Sequence, residues 1–177
     1  MMDKRVRLLA SVGLAAGGVF GMAGTFAPSA SLRGLAWGVD GVGLVMAAAL
    51  LTVAFSRSGR DVVAAGFLVF TVGQGLILST AAMSLTASVP AFGAGTSLWA
   101  VALTLISAPR AFPLPVRLLG LVTAALFGAT ALQVFAGAVV TPMNSPLPFY
   151  AYPALVGTLA GWIWTLLRAG DAHPAAT

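Results

Sequence analysis

Six apolar stretches of 18 to 25 residues run along the chain, separated by short segments of proline, glycine, serine and charge. They cover Val6 to Ala27, Leu32 to Phe55, Val62 to Leu85, Pro90 to Ser107, Val116 to Val140 and Phe149 to Leu167. A helix rises about 1.5 Å per residue, so roughly 20 apolar residues cross the hydrocarbon core of a bilayer. The pattern predicts an all-α protein: a polytopic transmembrane helical bundle of six helices in one integral membrane domain over residues 1–177, ending in a flexible polar tail at 168–177.

The connections carry turn chemistry. Pro28-Ser29-Ala30-Ser31 and Ser56 to Asp61 separate the first three stretches, three prolines lie in Ala108 to Pro115, and Pro90 suits a first helical position. The fourth stretch opens on AFGAGTS, whose two glycines and two hydroxyls predict a partly unwound start.

Composition points the same way. Of 177 residues 59% are hydrophobic and 7% charged, against about 25% charged in a soluble domain. Mean hydropathy is +1.01. The net charge of +5 does not indicate nucleic acid, because the basic residues are scattered at segment ends instead of forming one face. Lys4, Arg5, Arg7, Arg57, Arg60, Arg110, Arg117 and Arg168 fall on one side of a six-span topology and only Arg33 on the other. By the positive-inside rule both termini are cytoplasmic, in a cell membrane of the bacterial inner-membrane kind. A start of MMDKRVR followed by an apolar run suits a signal peptide, but the run is longer than the usual 7–15 residues, which favours a retained first helix.

Helices in lipid associate largely through close packing of small residues. Gly13, Gly17 and Gly21 line one face of the first helix, Gly34, Gly38 and Gly41 one face of the second, and Gly157 and Gly161 one face of the sixth. Packing within the bundle is the first reading of these faces. A partner membrane subunit or a homo-oligomer is the second.

Asp40 is the only acidic residue inside an apolar stretch. It lies roughly 7–12 Å from the outer end of its helix, where an ionised carboxylate needs a partner or water. Arg33, seven residues back on the same face, is the expected partner, with Trp37 between them. Gln74 and Gln133 each place an amide in a predicted span. Interhelical bonds of that kind are worth about 0.6–2 kcal/mol, so polar glue is the plain reading of both. The two hairpins that hold them share a weak pattern, with a Trp (Trp37, Trp99) on the first helix and a Gln on the returning one, as in a duplicated hairpin.

The outer connection Thr141 to Pro153 holds four prolines with Asn144, Tyr150 and Tyr152, and is expected to be a stiff, partly extended segment over an outward-opening pocket. Trp162, Trp164 and Arg168 form an expected interfacial anchor.

The chain has no cysteine, and its single histidine, His173, lies in the polar tail. No cofactor, metal site or catalytic residue is expected, and an enzyme is disfavoured. The expected function is solute or lipid binding, related to transport, in an outward-facing pocket formed by Asp40, Arg33, Trp37, Gln74, Gln133, Asn144, Tyr150 and Tyr152. The expected partners are membrane lipids and a small apolar or polar solute. The alternative is an accessory or scaffold subunit that packs through its glycine faces.

Overall fold

The computed structural model describes residues 2–141, 143 and 146–168. The helices are α1 (Lys4–Thr25), α2 (Ala30–Arg57), α3 (Asp61–Ser79), α4 (Val89–Ser107), α5 (Leu114–Phe135) and α6 (Pro146–Arg168). A 3-10 turn at Thr80–Ala82 extends α3. All of the regular structure among the described residues is helical. Helices α1, α2, α3 with its extension, α4 and α5 are long and apolar enough to cross a membrane. At 23 residues α6 is as long, but its first eight hold three prolines and two tyrosines, and it is not among the five. The predicted tail at 168–177 lies outside the described residues beyond Arg168.

The helix ends follow from local chemistry. The Asp3 carboxylate accepts the backbone N–H of Arg5 (2.8 Å) and the Ser29 hydroxyl that of Leu32 (3.2 Å), capping α1 and α2. Two helices stop at glycines in the left-handed region, Gly59 (φ 69°) after α2 and Gly137 (φ 91°) after α5. At each, the next residue returns an N–H to the last turn: Arg60 to the Phe55 carbonyl (3.0 Å) and Ala138 to the Gln133 carbonyl (2.9 Å). This stop ends α5 at Phe135, short of the predicted Val140.

Two other predictions change. Helix α4 is continuous through AFGAGTS. Its glycines serve close approach: a methyl on Gly93 would meet Val134, and one on Gly95 would meet Ile77 at 2.6 Å. The expected extended segment before Pro153 is helical from Pro146. Prolines in a first turn forfeit no helical hydrogen bond. Pro153 lies within the helix, on an exposed position.

Each helix packs on the next in the chain, and α6 closes the ring on α1. The α1–α2 seam is the closest. A methyl on Gly13 would fall 2.5 Å from the Gly43 carbonyl oxygen and 2.9 Å from Ala47 Cβ, one on Gly17 would strike Leu44, and one on Gly24 would strike Trp37. Rising numbers on α1 meet falling numbers on α2, so the pair is antiparallel. The glycine face of α1 is therefore covered within the chain. Gly34, Gly41, Gly157 and Gly161 also abut neighbouring elements, at 3.1 Å from the Ala81 carbonyl, 2.6 Å from Leu78, 3.0 Å from Leu119 and 2.8 Å from Val116. Gly38 departs from the expected face, with nothing within 4 Å of a methyl placed on it. Consecutive turns of a straight helix drift around its axis, and Gly41 already takes the inward position.

A column of aromatic rings fills the ring of helices. Phe55 stacks on Phe67 (5.5 Å), Phe67 meets Trp162 edge-on (5.1 Å), and Phe70 stacks on Trp99 (5.6 Å). Trp99 then meets Phe127 (4.9 Å) and Tyr152 (6.2 Å) edge-on. Trp162 is thus a core residue and not an interfacial one. Trp164 is exposed, with the Arg168 guanidinium 4.4 Å from its ring centre.

Candidate functional site

The inward stripe of α3 runs Val63, Phe67, Phe70 and Gln74, all buried. Gln74 takes the place of the next apolar residue in that stripe, one turn beyond the aromatic column. Its side chain is fully buried, and neither its amide oxygen nor its amide nitrogen has a hydrogen-bond partner. The indole Nε1 of Trp99 is buried without a partner as well. Helices α3 and α4 approach closely here: a methyl on Gly73, the neighbour of Gln74, would touch Trp99 Cδ1 at 3.0 Å. A buried polar group left unpaired costs about 1–3 kcal/mol, and native cores hold few of them.

Asp40 is buried on α2. It continues the inward stripe of Leu51, Ala47 and Leu44 and is 9% exposed. A methyl on Gly17 would lie 3.2 Å from its Oδ1, and one on Gly21 would lie 3.4 Å from its Oδ2. A methyl would crowd the carboxylate at Gly17 and meet it at ordinary contact distance at Gly21, so the small-residue face of α1 packs against the acid as well as along the seam. Gly41, beside Asp40, packs on Leu78, which lies four residues beyond Gln74. Asp40 is therefore about 6 Å nearer than Gln74 to the end of the bundle away from the termini.

Arg33 does not pair with Asp40. Its guanidinium lies 5.8 Å from the centre of the Trp37 ring, and no ion pair or hydrogen bond reaches the Asp40 carboxylate among the described residues. The indole of Trp37 stands between them and donates its N–H to the carbonyl oxygen of Gly21 (3.3 Å).

The predicted set thus divides. Asp40, Gln74 and Tyr152 point into the core, with Trp37 on its rim and Arg33 stacked outside Trp37. Gln133 is exposed on the outer face of α5, away from the core. Tyr150 is 64% exposed and lies edge-on to Phe149, so it too faces away. Asn144 lies outside the described residues. Gln74 is core and Gln133 surface, while Trp37 is rim and Trp99 core, so the paired residues of the two hairpins do not hold matching places.

Trp99 is not among the site residues that the sequence predicts. Its signal was depth: a tryptophan mid-way along an apolar stretch is far from the interfaces where the residue is enriched. Thr96, fully buried one turn before it, is satisfied by the Phe92 carbonyl (2.9 Å).

Asp40, Gln74, Trp99 and Tyr152 thus bring a carboxylate, an amide, an indole N–H and a phenol into the core of the bundle, where Trp99 lies edge-on to Phe127 and Tyr152. Carboxylate and amide oxygens accept hydrogen bonds, and aromatic faces attract cations. No group of three or more His, Cys, Asp or Glu that could hold a metal occurs among the described residues. No protein-family model, curated protein or solved structure matches the chain.

Proposed function

We propose that the protein is a six-span integral membrane protein of the bacterial inner membrane, with both termini in the cytoplasm, that binds a small cationic or hydrogen-bond-donating solute in its core. The solute enters from the outer side and sits between α2, α3, α4 and α6. The observation that carries this reading is Gln74, an amide wholly buried with both of its polar atoms unpartnered. Asp40, on the outer side of it, supplies the charge that favours a cation, and Trp99 and Tyr152 supply the aromatic wall. Binding related to transport fits a polar layer placed part-way along a bundle, since intramembrane ionisable residues mark substrate and ion paths.

The test is thermal stability of the detergent-purified protein against a panel of small amines, quaternary ammonium ions, Na⁺ and K⁺. A saturable shift in wild type that disappears in Gln74→Leu supports the site. No shift with any member of the panel, or one that persists in the variant, removes it.

The second reading, an accessory subunit that docks a partner helix, is favoured by Gly38 on α2 and Gly75 on α3, neither of which has an atom within 4 Å of a methyl placed on it. The other glycines of these two helices, apart from Gly59 in the turn, are already covered within the chain.

A further inference from the structure

At the end of the bundle that carries Met2 and Arg168, a cavity of about 520 Å³ opens between α1, α2 and α6. Arg7 of α1, Arg57 in the last turn of α2 and Arg60 in the following turn line it, with Ser58 beside them and Phe55 and Phe112 as its floor. Arg60 lies 6.0 Å from the centre of the Phe55 ring, and none of the three guanidinium groups forms an ion pair among the described residues. Basic residues at helix ends ordinarily splay into water. Here three converge on one concave, partly apolar site.

A second hollow of about 550 Å³ continues from it along the α1–α2 surface. Met2, Ala54 and Arg57 line both, and the second is otherwise apolar, walled by Val6, Met46, Leu50 and Val53, with Asp3 at its margin. The Asp3 carboxylate caps α1 by accepting the Arg5 N–H. From Arg57 to Met46 the groove follows α2 for about 16 Å toward the middle of the bundle. Guanidinium groups bind phosphate oxygens in pairs, and an apolar groove leading away from them suits a hydrocarbon chain.

We infer that this end of the bundle is a binding site for an anionic phospholipid, with its phosphate on Arg7, Arg57 and Arg60 and one acyl chain in the α1–α2 groove. The site rests on the membrane-spanning reading but not on the core site around Gln74. Basic pockets at helix ends on the cytoplasmic side are a known way to hold acidic headgroups. The continuous apolar groove selects a lipid over a soluble phosphate, which would use the arginines alone.

The experiment uses the full chain in detergent micelles doped with phosphatidylglycerol, phosphatidylcholine, inorganic phosphate or glycerol 3-phosphate, read by melting temperature and by native mass spectrometry. At about 100 times its dissociation constant the anionic lipid is expected to raise the midpoint by roughly 5–10 °C. The other three additives are expected to leave it unchanged. Arg57→Gln with Arg60→Gln should weaken the lipid effect at least tenfold, while Lys4→Gln with Arg168→Gln, which removes the same charge elsewhere, should not. If the first pair does not fold, Arg57→Lys with Arg60→Lys takes its place, with weakening expected because the paired hydrogen bonds are lost. An equal shift with phosphate or glycerol 3-phosphate overturns the proposal in favour of a free-anion site. An equal shift with phosphatidylcholine overturns it in favour of unspecific solvation, and an equal loss in the control pair overturns it in favour of net charge. Chain recovered without detergent from the soluble fraction refutes the membrane reading itself; membrane-extracted chain with no lipid preference refutes this site alone.

Discussion

The indole N–H of Trp37 crosses from α2 to α1 and ends on the carbonyl oxygen of Gly21, at 3.3 Å. One turn further along α2, the Asp40 carboxylate rests on the same glycine. Gly21 thus receives both the rim and the acid of the candidate site, and Gly24 leaves the space into which the indole lies. In Gly24→Ala the new methyl would overlap the Trp37 ring. The expected result is loss of the Trp37–Gly21 bond and destabilisation of about 1–3 kcal/mol, the usual cost of overpacking. Thermal unfolding checks it, and an unchanged midpoint would show that the indole does not occupy this space.

Two other glycines make a matched pair. Gly17→Leu drives a branched side chain into Leu44 at the middle of the seam, and loss of folded protein in detergent is expected. Gly38→Ala on the adjoining helix meets nothing within 4 Å. It should be tolerated or stabilise by roughly 0.5–1 kcal/mol, because alanine is the better helix former. Equal behaviour of the two variants in a melting series would show that the α1–α2 seam is not held as described.

Much of this arrangement is legible in the residues, and the rest fails for identifiable reasons. Four-residue spacing of Gly13, Gly17 and Gly21 declares a face, but only Trp37, Asp40 and Leu44 declare its partner, by lying at matching heights on the antiparallel helix. The Arg33–Asp40 pairing fails because spacing of seven on one face ignores the large residue between, and Trp37 takes the guanidinium. Gln133 was misplaced because α5 is apolar all round, so its hydropathy selects no inward face. Gly120, Ala124, Phe127 and Ala131 do select one, and Gln133 lies off it. The Pro-rich start of α6 reads as a loop, since proline is a helix breaker in the interior yet harmless in a first turn.

Because Arg33 and Asp40 do not pair, Arg33→Gln and Asp40→Asn should act independently. Their effects on stability are expected to add within about 0.5 kcal/mol. A buried pair would behave otherwise, with one partner's removal costing about 3–5 kcal/mol and the second change restoring much of it. A double-mutant cycle by thermal or denaturant unfolding distinguishes the two. Strong coupling would return Arg33 to the site.

The proposed six-span topology makes its own prediction about α6, the helix with the prolines and tyrosines in its first turns. A reporter fused after Arg168 should be active in its cytoplasmic form. One fused in the connection between α5 and α6 should be active in its periplasmic form. Two fusions both active in the periplasmic form would leave five spans and place Arg168 outside.

Gln74 decides the reading of the core. It occupies a position in the α3 stripe that Phe67 and Phe70 fill with rings, and leucine there would match its neighbours in kind. Replacing an unpaired buried amide by an apolar group of similar size removes its desolvation cost, so Gln74→Leu should stabilise the protein by about 1–3 kcal/mol. For a chain of this size that is roughly 2–12 °C in melting midpoint. The same change should abolish the shift produced by cationic or hydrogen-bond-donating solutes, because the amide oxygen that receives them is gone while the Asp40 carboxylate alone remains. Stability and binding are expected to move in opposite directions, as they do where a site is kept at the expense of the fold. Gln74→Ala controls for volume: it too should lose binding, but it should also lose stability to the cavity it leaves. Should Gln74→Leu instead destabilise as much as Gln74→Ala, the amide has partners within the folded chain, Gln74 is polar glue between helices, and the core holds no solute.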